Sequence, residues 1–464
     1  MLIRKVLVLL LLLPAMATQA ADKVKPWMMA DWENPTPRLA DAGISPKDVV
    51  DSIGPRLMLF SHAPREVSLP GAKGLRRFQG ARFVSAVARV DLPAATLRRR
   101  LQDFSSYKNL FPMLTQSEVM ALDSRKVLAR YRVEIPLPAL ATITVDFRIR
   151  HNIEADGSVS ALLIDGRAES LIAMLGGMTD ELADQPVLSR WEVLPVDARR
   201  SLLVFTYWDR IELKSYFARK LMEAYPEMRV VGPYMVAAGA AEAVHRNFVS
   251  PQQVSQDIIP PGMASLAGAR HFMNDLSQYG AVVLLEPEMV LSPTLKTTPL
   301  RYSSVATRLR AETDAARRQA TQYARLPDVI KEIKSVDVRD RGQQVDLGLE
   351  VSAGLLMLRF SLDLDVRNTW VSPERLEFRR TRGNLAQLRG ASEWYALGDS
   401  GDTLMLISAA HELGEDAPLL LRLAHRIVDS VPYGDTLGGM AAQLVVMERM
   451  RPWIEAHANA SEIP

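Results

Sequence analysis

"VSAVARVDLPAATLRRRLQDFSSYKNLFPMLTQSEV" (Val84–Val119) carries an apolar strand pattern into a proline, an arginine-bearing helix pattern, a tyrosine and a Phe-Pro, and then a second strand pattern. A later stretch, "SSVATRLRAETDAARRQATQYARLPDVIKEIKSV" (Ser303–Val336), keeps the same order, with Tyr323 where the first has Tyr107 and Leu326-Pro327 in place of Phe111-Pro112. The match extends in both directions. "LMLF" from Leu57 faces "VVLL" from Val282, and "EVMALDSRKVLARYRVEIPLPALATITVDFRIR" aligns with "SVDVRDRGQQVDLGLEVSAGLLMLRFSLDLDVR". Near the end "VVGPYMVAAGAAEAVHRNF" faces "DSVPYGDTLGGMAAQLVVMERM", with Pro233-Tyr234 opposite Pro432-Tyr433. A repeat this long, with small gaps, is one domain written twice rather than a solenoid of short units.

Within each copy the periodicities name the elements. Ile143, Val145, Phe147 and Ile149 alternate with Thr144, Asp146, Arg148 and Arg150, and the second copy does the same at Val345, Leu347, Leu349 and Val351 and again from Leu356 to Val366. Period two over such lengths predicts antiparallel strands with one buried face. Asp156-Gly157 and Asp340-Arg341-Gly342 mark hairpin turns. Each copy closes on a helix pattern, 234–248 and 437–453, expected to start just after a proline. The fold class is α+β, with a curved antiparallel sheet wrapped around a long C-terminal helix in each copy.

In this order of elements, and in Val84–Val119 above all, the chain resembles the START-like superfamily, in particular its polyketide cyclase and coenzyme Q-binding branch, in tandem duplicate. The resemblance implies two helix-grip domains, each with a space between sheet and last helix for an apolar ligand such as a sterol or hopanoid, phospholipid, quinone or polyketide. The candidate lining residues are Tyr107, Phe111, Trp191, Trp208, Tyr234 and Ala240 in the first copy and Trp370, Trp394, Tyr433 and Gly439 in the second. Small residues crowd both last helices, at 237–241 and 438–442; they either leave room beneath the helix or allow close helix-on-sheet packing.

The domain boundaries expected are a signal peptide over 1–20, an extended arm over 21–56, a first domain over 57–249, a linker over 250–281, a second domain over 282–455 and a tail over 456–464. Arg4 and Lys5 precede an apolar run from Val6 to Leu13, too short to span a bilayer comfortably, and small residues follow. That pattern predicts a cleaved signal, with cleavage after Ala20 and a periplasmic or secreted mature protein. Removing Arg4 and Lys5 from the 56 basic residues leaves 54, against 54 acidic ones. A neutral chain lacks the charge excess that steers proteins onto nucleic acid, so no nucleic-acid partner is expected, while transient contact with a membrane or an envelope protein is allowed. Zero cysteine removes disulfides, thiolate metal sites and cysteine nucleophiles.

Other motifs are weaker. Gly398-Asp399-Ser400-Gly401 looks like a protease nucleophile turn, but between two strand patterns it reads as a hairpin loop. The seven histidines lack metal-ligand spacing, and His151 and His411 read as ordinary surface or core residues. The arginine runs at 98–100, 317–318 and 379–382 read as solvated faces, although one of them has the chemistry to grip a lipid headgroup. The expected function is therefore binding or transport of an apolar ligand, with no cofactor, no metal and no catalytic residue assigned. A cyclase or aromatase is the alternative, needing an acid or base in the cavity for which Tyr107, Asp146, Asp209 and His411 are candidates; a scaffold with filled cavities is a third.

Overall fold

The computed structural model describes residues 24–71, 74–137, 141–169, 186–210, 223, 225–296, 298–355, 358–415, 417 and 433–460. The segment read as a signal peptide lies outside these. The described residues form two compact units, 24–250 together with Tyr433 and Gly434, and 251–417 together with 435–460.

In the first unit, helix α1 (Pro46–Ile53) leads into strand β1 (Leu57–Ser61), the hairpin β2 (Arg65–Gly71) and β3 (Gly74–Ala81), then β4 (Val84–Val90), helix α2 (Ala94–Gln102) and a helical turn at Tyr107–Leu110. A meander follows: β5 (Leu114–Asp123), β6 (Lys126–Leu137), β7 (Ala141–Ile153), β8 (Val159–Glu169), β9 (Val187–Pro195) and β10 (Ser201–Asp209), and helix α3 (Met228–His245) closes the unit. The main sheet runs β1-β4-β10-β9-β8-β7-β6-β5, with each neighbouring pair antiparallel.

The second unit opens with β11 (Gln252–Val254) and helix α4 (Arg270–Leu276), followed by β12 (Val282–Leu285), β13 (Met289–Leu291), β14 (Ser303–Leu309) and helix α5 (Thr313–Ala320). Its meander is β15 (Ile333–Asp340), β16 (Gln344–Leu355), β17 (Leu358–Ser372), β18 (Arg375–Gly383), β19 (Leu385–Leu397) and β20 (Asp402–Leu413), and helix α6 (Gly434–Ala460) is last. Its sheet order, β12-β14-β20-β19-β18-β17-β16-β15, is that of the first unit strand for strand. The duplication legible in the sequence is thus a duplication of topology. The expected hairpin turns are present, with Gly157 (φ 82°) and Gly342 (φ 80°) in the left-handed conformation that glycine adopts without penalty. The 398–401 segment is the loop between β19 and β20.

Register assigns the faces. Tyr234 on α3 bonds Ser61 of β1 at 2.9 Å, Ser61 pairs with Val84, and Val84 pairs with Tyr207. The face bearing Val84, Phe205, Tyr207 and Trp191 is therefore the inner one, under the helix, which lies across β1, β4 and β10. The outer face carries cross-strand ion pairs where it meets water. Arg132 donates to Asp146 at 3.0 and 3.2 Å, Arg148 to Asp165 at 2.7 Å, and in the second unit Arg367 to Asp346 at 2.7 Å. Around β10 neither face is wet: Ser201–Trp208 are all buried, so no alternation survives there.

The structure revises the boundaries read from the sequence. Residues 24–56 of the expected arm and 251–281 of the expected linker belong to the units that follow them. Leu39 N–H donates to Glu192 at 3.0 Å and Arg190 donates to the Thr36 carbonyl at 2.6 Å. In the second unit Met263 N–H donates to Glu393 at 2.6 Å and Arg375 to the Pro260 carbonyl at 3.0 Å. Each leading segment is thus held by its backbone to a buried glutamate and an arginine of the sheet, the two gripped positions lying three residues apart in each, at 36 and 39 and at 260 and 263. A short helix then follows in each, burying Val49, Val50 and Ile53 or Phe272, Met273 and Leu276. The repeat begins ahead of the first strand.

The closing helices also differ from expectation. α3 starts at Met228, so Pro233 lies inside it, and α6 runs well past 453 with Pro452 inside. At Gly390 of β19 a side chain has no room: a Cβ would overlap the Phe378 ring and stand 2.5 Å from the Ser408 carbonyl. Gly390→Ala is expected to destabilise the second unit by about 1–3 kcal/mol, read as a lower denaturant midpoint at unchanged slope.

Candidate functional site

The inner face of the first unit is built from aromatic side chains of elements far apart in sequence. Trp191 (β9) and Phe205 (β10) have ring centroids 4.2 Å apart because the register sets them opposite each other. Phe111, just past the helical turn, lies 6.3 Å from Trp191 and 5.3 Å from Tyr107. Tyr107 in turn lies 5.7 Å from Tyr131 of β6, and Tyr131 lies 5.7 Å from Phe147 of β7. Tyr107 is pinned by donating its hydroxyl to the Leu101 carbonyl at 2.6 Å, and burial pushes its phenol well above the usual range.

At the centre of this surface sits His151. It occupies the apolar phase of β7, after Val145, Phe147 and Ile149, and is 3% exposed. Its ring stacks on Phe104 at 4.2 Å, its Nε2 is 2.8 Å from the Tyr131 hydroxyl, and its Nδ1 has no partner. Burial alone pulls its pKa down to about 3, so at neutral pH the imidazole is uncharged. The sequence reading takes His151 for an ordinary surface or core residue and does not name Tyr131. The available signal was phase: a histidine where an alternating strand calls for an apolar side chain.

The inner surface is not wholly covered. Phe111, Phe147, Ile149 and Leu163 face inward and are only half-buried. In the second unit Leu349, Val351, Leu362 and Leu364 occupy the same phase and are half-buried too. An apolar surface on the helix-covered side of a sheet, left half-buried, is of the kind an apolar ligand needs.

The other expected lining residues divide. Tyr234 spends its hydroxyl on Ser61 and is fully buried, fastening α3 to β1. Ala240 is half-buried at the edge of α3, whereas Ala237, Ala238 and Ala241 carry the close contact. Trp208 is a correction: by alternation it lies on the outer face, packed with Met28, Phe78 and Phe83 beneath the leading segment and the β2–β3 hairpin. Tyr433 is another, because it clusters with the first unit, where the Arg246 guanidinium lies 4.0 Å from its ring.

In the second unit Trp370 and Trp394 are 5.9 Å apart on the inner face. Trp394 is 1% exposed with its Nε1 unpartnered. Trp370 also lines a cleft of about 640 Å³ beside α5, where Arg317 lies over its ring. At Gly439 a Cβ would meet His411 at 3.5 Å, ordinary packing contact with no extra room. Of the acid–base candidates, Asp146 lies on the outer face in its ion pair with Arg132, and His411 packs against α6. Asp209 sits at the end of β10 and hydrogen-bonds Tyr207. Among the described residues no group of three or more His, Cys, Asp or Glu is placed to hold a metal ion, and no helix is long and apolar enough to cross a membrane.

A strand, a helix, a meander of antiparallel strands and a gripping C-terminal helix, given twice, make the architecture plain. Each unit has the helix-grip architecture that the START-like resemblance implies. No family model matches the chain, and no curated protein does. Solved structures similar to it include the di-domain ARO/CYC BexL from the BE-7585A biosynthetic pathway, at 11% identity over 81% of this chain and 98% of that one, with a TM-score of 0.24. The di-domain ARO/CYC StfQ from the steffimycin pathway matches at 9% identity over 81% and 98%, TM-score 0.23. A START superfamily protein from Mycobacterium smegmatis matches at 17% identity over 36% of this chain and 97% of that one, TM-score 0.27. In this chain the leading segments lie on the outer faces of the sheets.

Proposed function

We propose that the protein is an exported binding or transport protein for an apolar ligand, held against the inner face of the first START-like unit and, by the same architecture, of the second. The observation that carries this reading is the half-buried apolar patch of Phe111, Phe147, Ile149 and Leu163 around a buried neutral histidine. Each methylene a ligand buries there contributes about 0.8 kcal/mol before the costs of association. His151 Nδ1 offers one polar contact, suited to an uncharged hydroxyl or carbonyl on an otherwise apolar molecule. Sterol-, quinone- and polyketide-like molecules share that chemistry. The same features favour carriage over catalysis. An acid or base works best with a pKa near the operating pH, and burial holds His151 near 3 while it pushes Tyr107 and Tyr131 upward. Export is supported by Arg4-Lys5 and the apolar run after them.

Native mass spectrometry with lipid extraction, on protein purified from the export compartment and on protein incubated with a sterol, quinone and phospholipid panel, tests this. An apolar molecule is expected to copurify or be taken up. Ile149→Trp, which fills the open patch with apolar bulk, is expected to cut uptake at least tenfold without loss of the folded state. A chain that stays ligand-free throughout the panel overturns the reading.

A further inference from the structure

A second polar feature lies on the opposite face of the first sheet. Register aligns Lys126, Asn152, Ser160, Arg190, Thr206 and Ser85 in one row across the outer faces of β6, β7, β8, β9, β10 and β4. At the β4 end the row is self-satisfied, Thr206 to Ser85 and Ser85 to His62, each at 2.7 Å. At the other end the leading segment roofs it and leaves a cleft of about 650 Å³.

The lining of that cleft holds buried polar atoms with nothing to bond. Ser160 is fully buried with its Oγ unpartnered, Thr36 is 3% exposed with its Oγ1 unpartnered, and Arg190 is 4% exposed with its Nε unpartnered. Beside the cleft Arg150 is fully buried, its guanidinium 5.5 Å from the ring of Trp32, which lines the cleft. Its Nη1 donates to the Met28 and Ala30 carbonyls, while its Nε and Nη2 are unpartnered. Leaving a buried polar group unsatisfied costs about 1–3 kcal/mol each.

The unmet groups are donors or hydroxyls, and of the four carboxylates lining the cleft Glu154, Asp31 and Asp41 are engaged, while Glu33 is exposed to solvent. Glu154 takes Arg190 and Asn34 at 2.8 and 3.0 Å and Arg38 at 2.9 Å, and Asp31 takes Lys126 at 2.7 Å. Arg125, exposed at the rim, has no side-chain partner among the described residues. We propose that this cleft under the leading segment is a binding site for a small oxyanion, a phosphate or carboxylate group, received by Arg190 Nε, Ser160 and Thr36 and approached past Arg125. The second unit has a cleft in the corresponding place, about 810 Å³, lined by Pro260 of its leading segment and by Arg367, Arg379 and Arg380, which fits the same chemistry. The site is separate from the inner face and does not depend on an apolar ligand binding there.

The test is isothermal titration and thermal unfolding of the full mature chain with inorganic phosphate, with succinate, and with soluble short-chain phosphatidic acid as the lipid-headgroup form. Saturable binding of at least one of these below about 10 mM, with a matching rise in melting temperature, is expected. Arg125→Ala and Ser160→Ala, neither of which removes a contact that holds the fold, are expected to weaken it threefold or more each. Ser160→Ala alone should leave the anion-free melting temperature equal or higher, since it deletes an unsatisfied hydroxyl. A preference for phosphatidic acid identifies a headgroup site, and equal response to phosphate or succinate a site for free anions. No saturable binding of any probe, or binding unchanged in both variants, overturns the proposal.

Discussion

Between pH 7.5 and pH 5 the first unit is expected to lose several kcal/mol of stability, because it buries His62 and His151 in the neutral form. His62 is 4% exposed; burial first, and then the nearby Arg65 charge, pull its pKa to about 4, while Asp41 opposes weakly. His151 is pulled to about 3 by burial. Both folded values lie below the ordinary 6.5, so the unfolded chain binds more protons than the folded one as pH falls beneath 6.5. The stabilisation is fully present above that value and drains away toward 4 and 3. By pH 5 each histidine has lost about 2 kcal/mol, a large share of the roughly 5–15 kcal/mol that a domain possesses.

Carboxyls modify this trend: Asp31, Asp103, Glu154 and Asp197 are lowered like Asp156, so their contributions are lost only in more acid solution, and Glu192 acts the other way. Burial raises Glu192, so acid favours its folded form and opposes the trend. At Asp156 burial pushes up, but Ser158 and Arg38 prevail and hold it near 2, so its loss begins only below about 4. Denaturant midpoints at pH 7.5 and 5 in the wild type, His62→Asn and His151→Gln check this. Each variant should be less stable at pH 7.5 and show roughly half the wild-type pH dependence. Coincident wild-type midpoints at the two pH values would count against buried neutral histidines.

The other large effect is in the second unit. Glu393 is 4% exposed, pairs with Arg375 at 2.7 Å and accepts the Met263 N–H. Glu393→Ala leaves Met263 N–H unmet and Arg375 with only the half-exposed Glu377 and the Pro260 carbonyl, and is expected to cost about 2–4 kcal/mol, less than a fully unpaired buried charge would. Glu393→Gln, which keeps an acceptor for Met263, should cost less. Replacing both charges, Arg375→Met with Glu393→Leu, should recover the part of the loss due to the stranded charge but not the part due to the unmet Met263 N–H. Hydrogen exchange locates the damage: in Glu393→Ala, protection should fall at Met263 and through 262–266 before it falls in β19. Uniform loss over the whole unit would mean that Glu393 stabilises the sheet rather than the leading segment.

The sequence made the duplicated meander legible because its strands are half-wet, and alternation such as Ile143-Val145-Phe147-Ile149 reports a single buried face. It could not place Trp208, because β10 is buried on both sides and its run of apolar residues has no phase to read. The leading segments escaped for another reason. Their likeness resides in backbone grips, Leu39 to Glu192 and Met263 to Glu393, which leave no shared side-chain signature. Tyr107, Phe111 and Trp191 were recognisable as aromatic residues bordering strands and do converge. His151 was hidden because a lone histidine carries no motif; only the pairing of β6 with β7 brings it to Tyr131.

The grip on each leading segment also orders events in time. The contact from Leu39 to Glu192 spans 153 residues, and that from Met263 to Glu393 spans 130. A chain emerging from its amino end presents these segments first, and neither can be sealed until β9 or β19 has joined its sheet. Contacts so distant along the chain make for slow folding. Until then Trp208, Phe83 and Leu188, once their strands have formed, face solvent on the side the segment will cover. The late step in assembling each unit is therefore the closing of its beginning over its end.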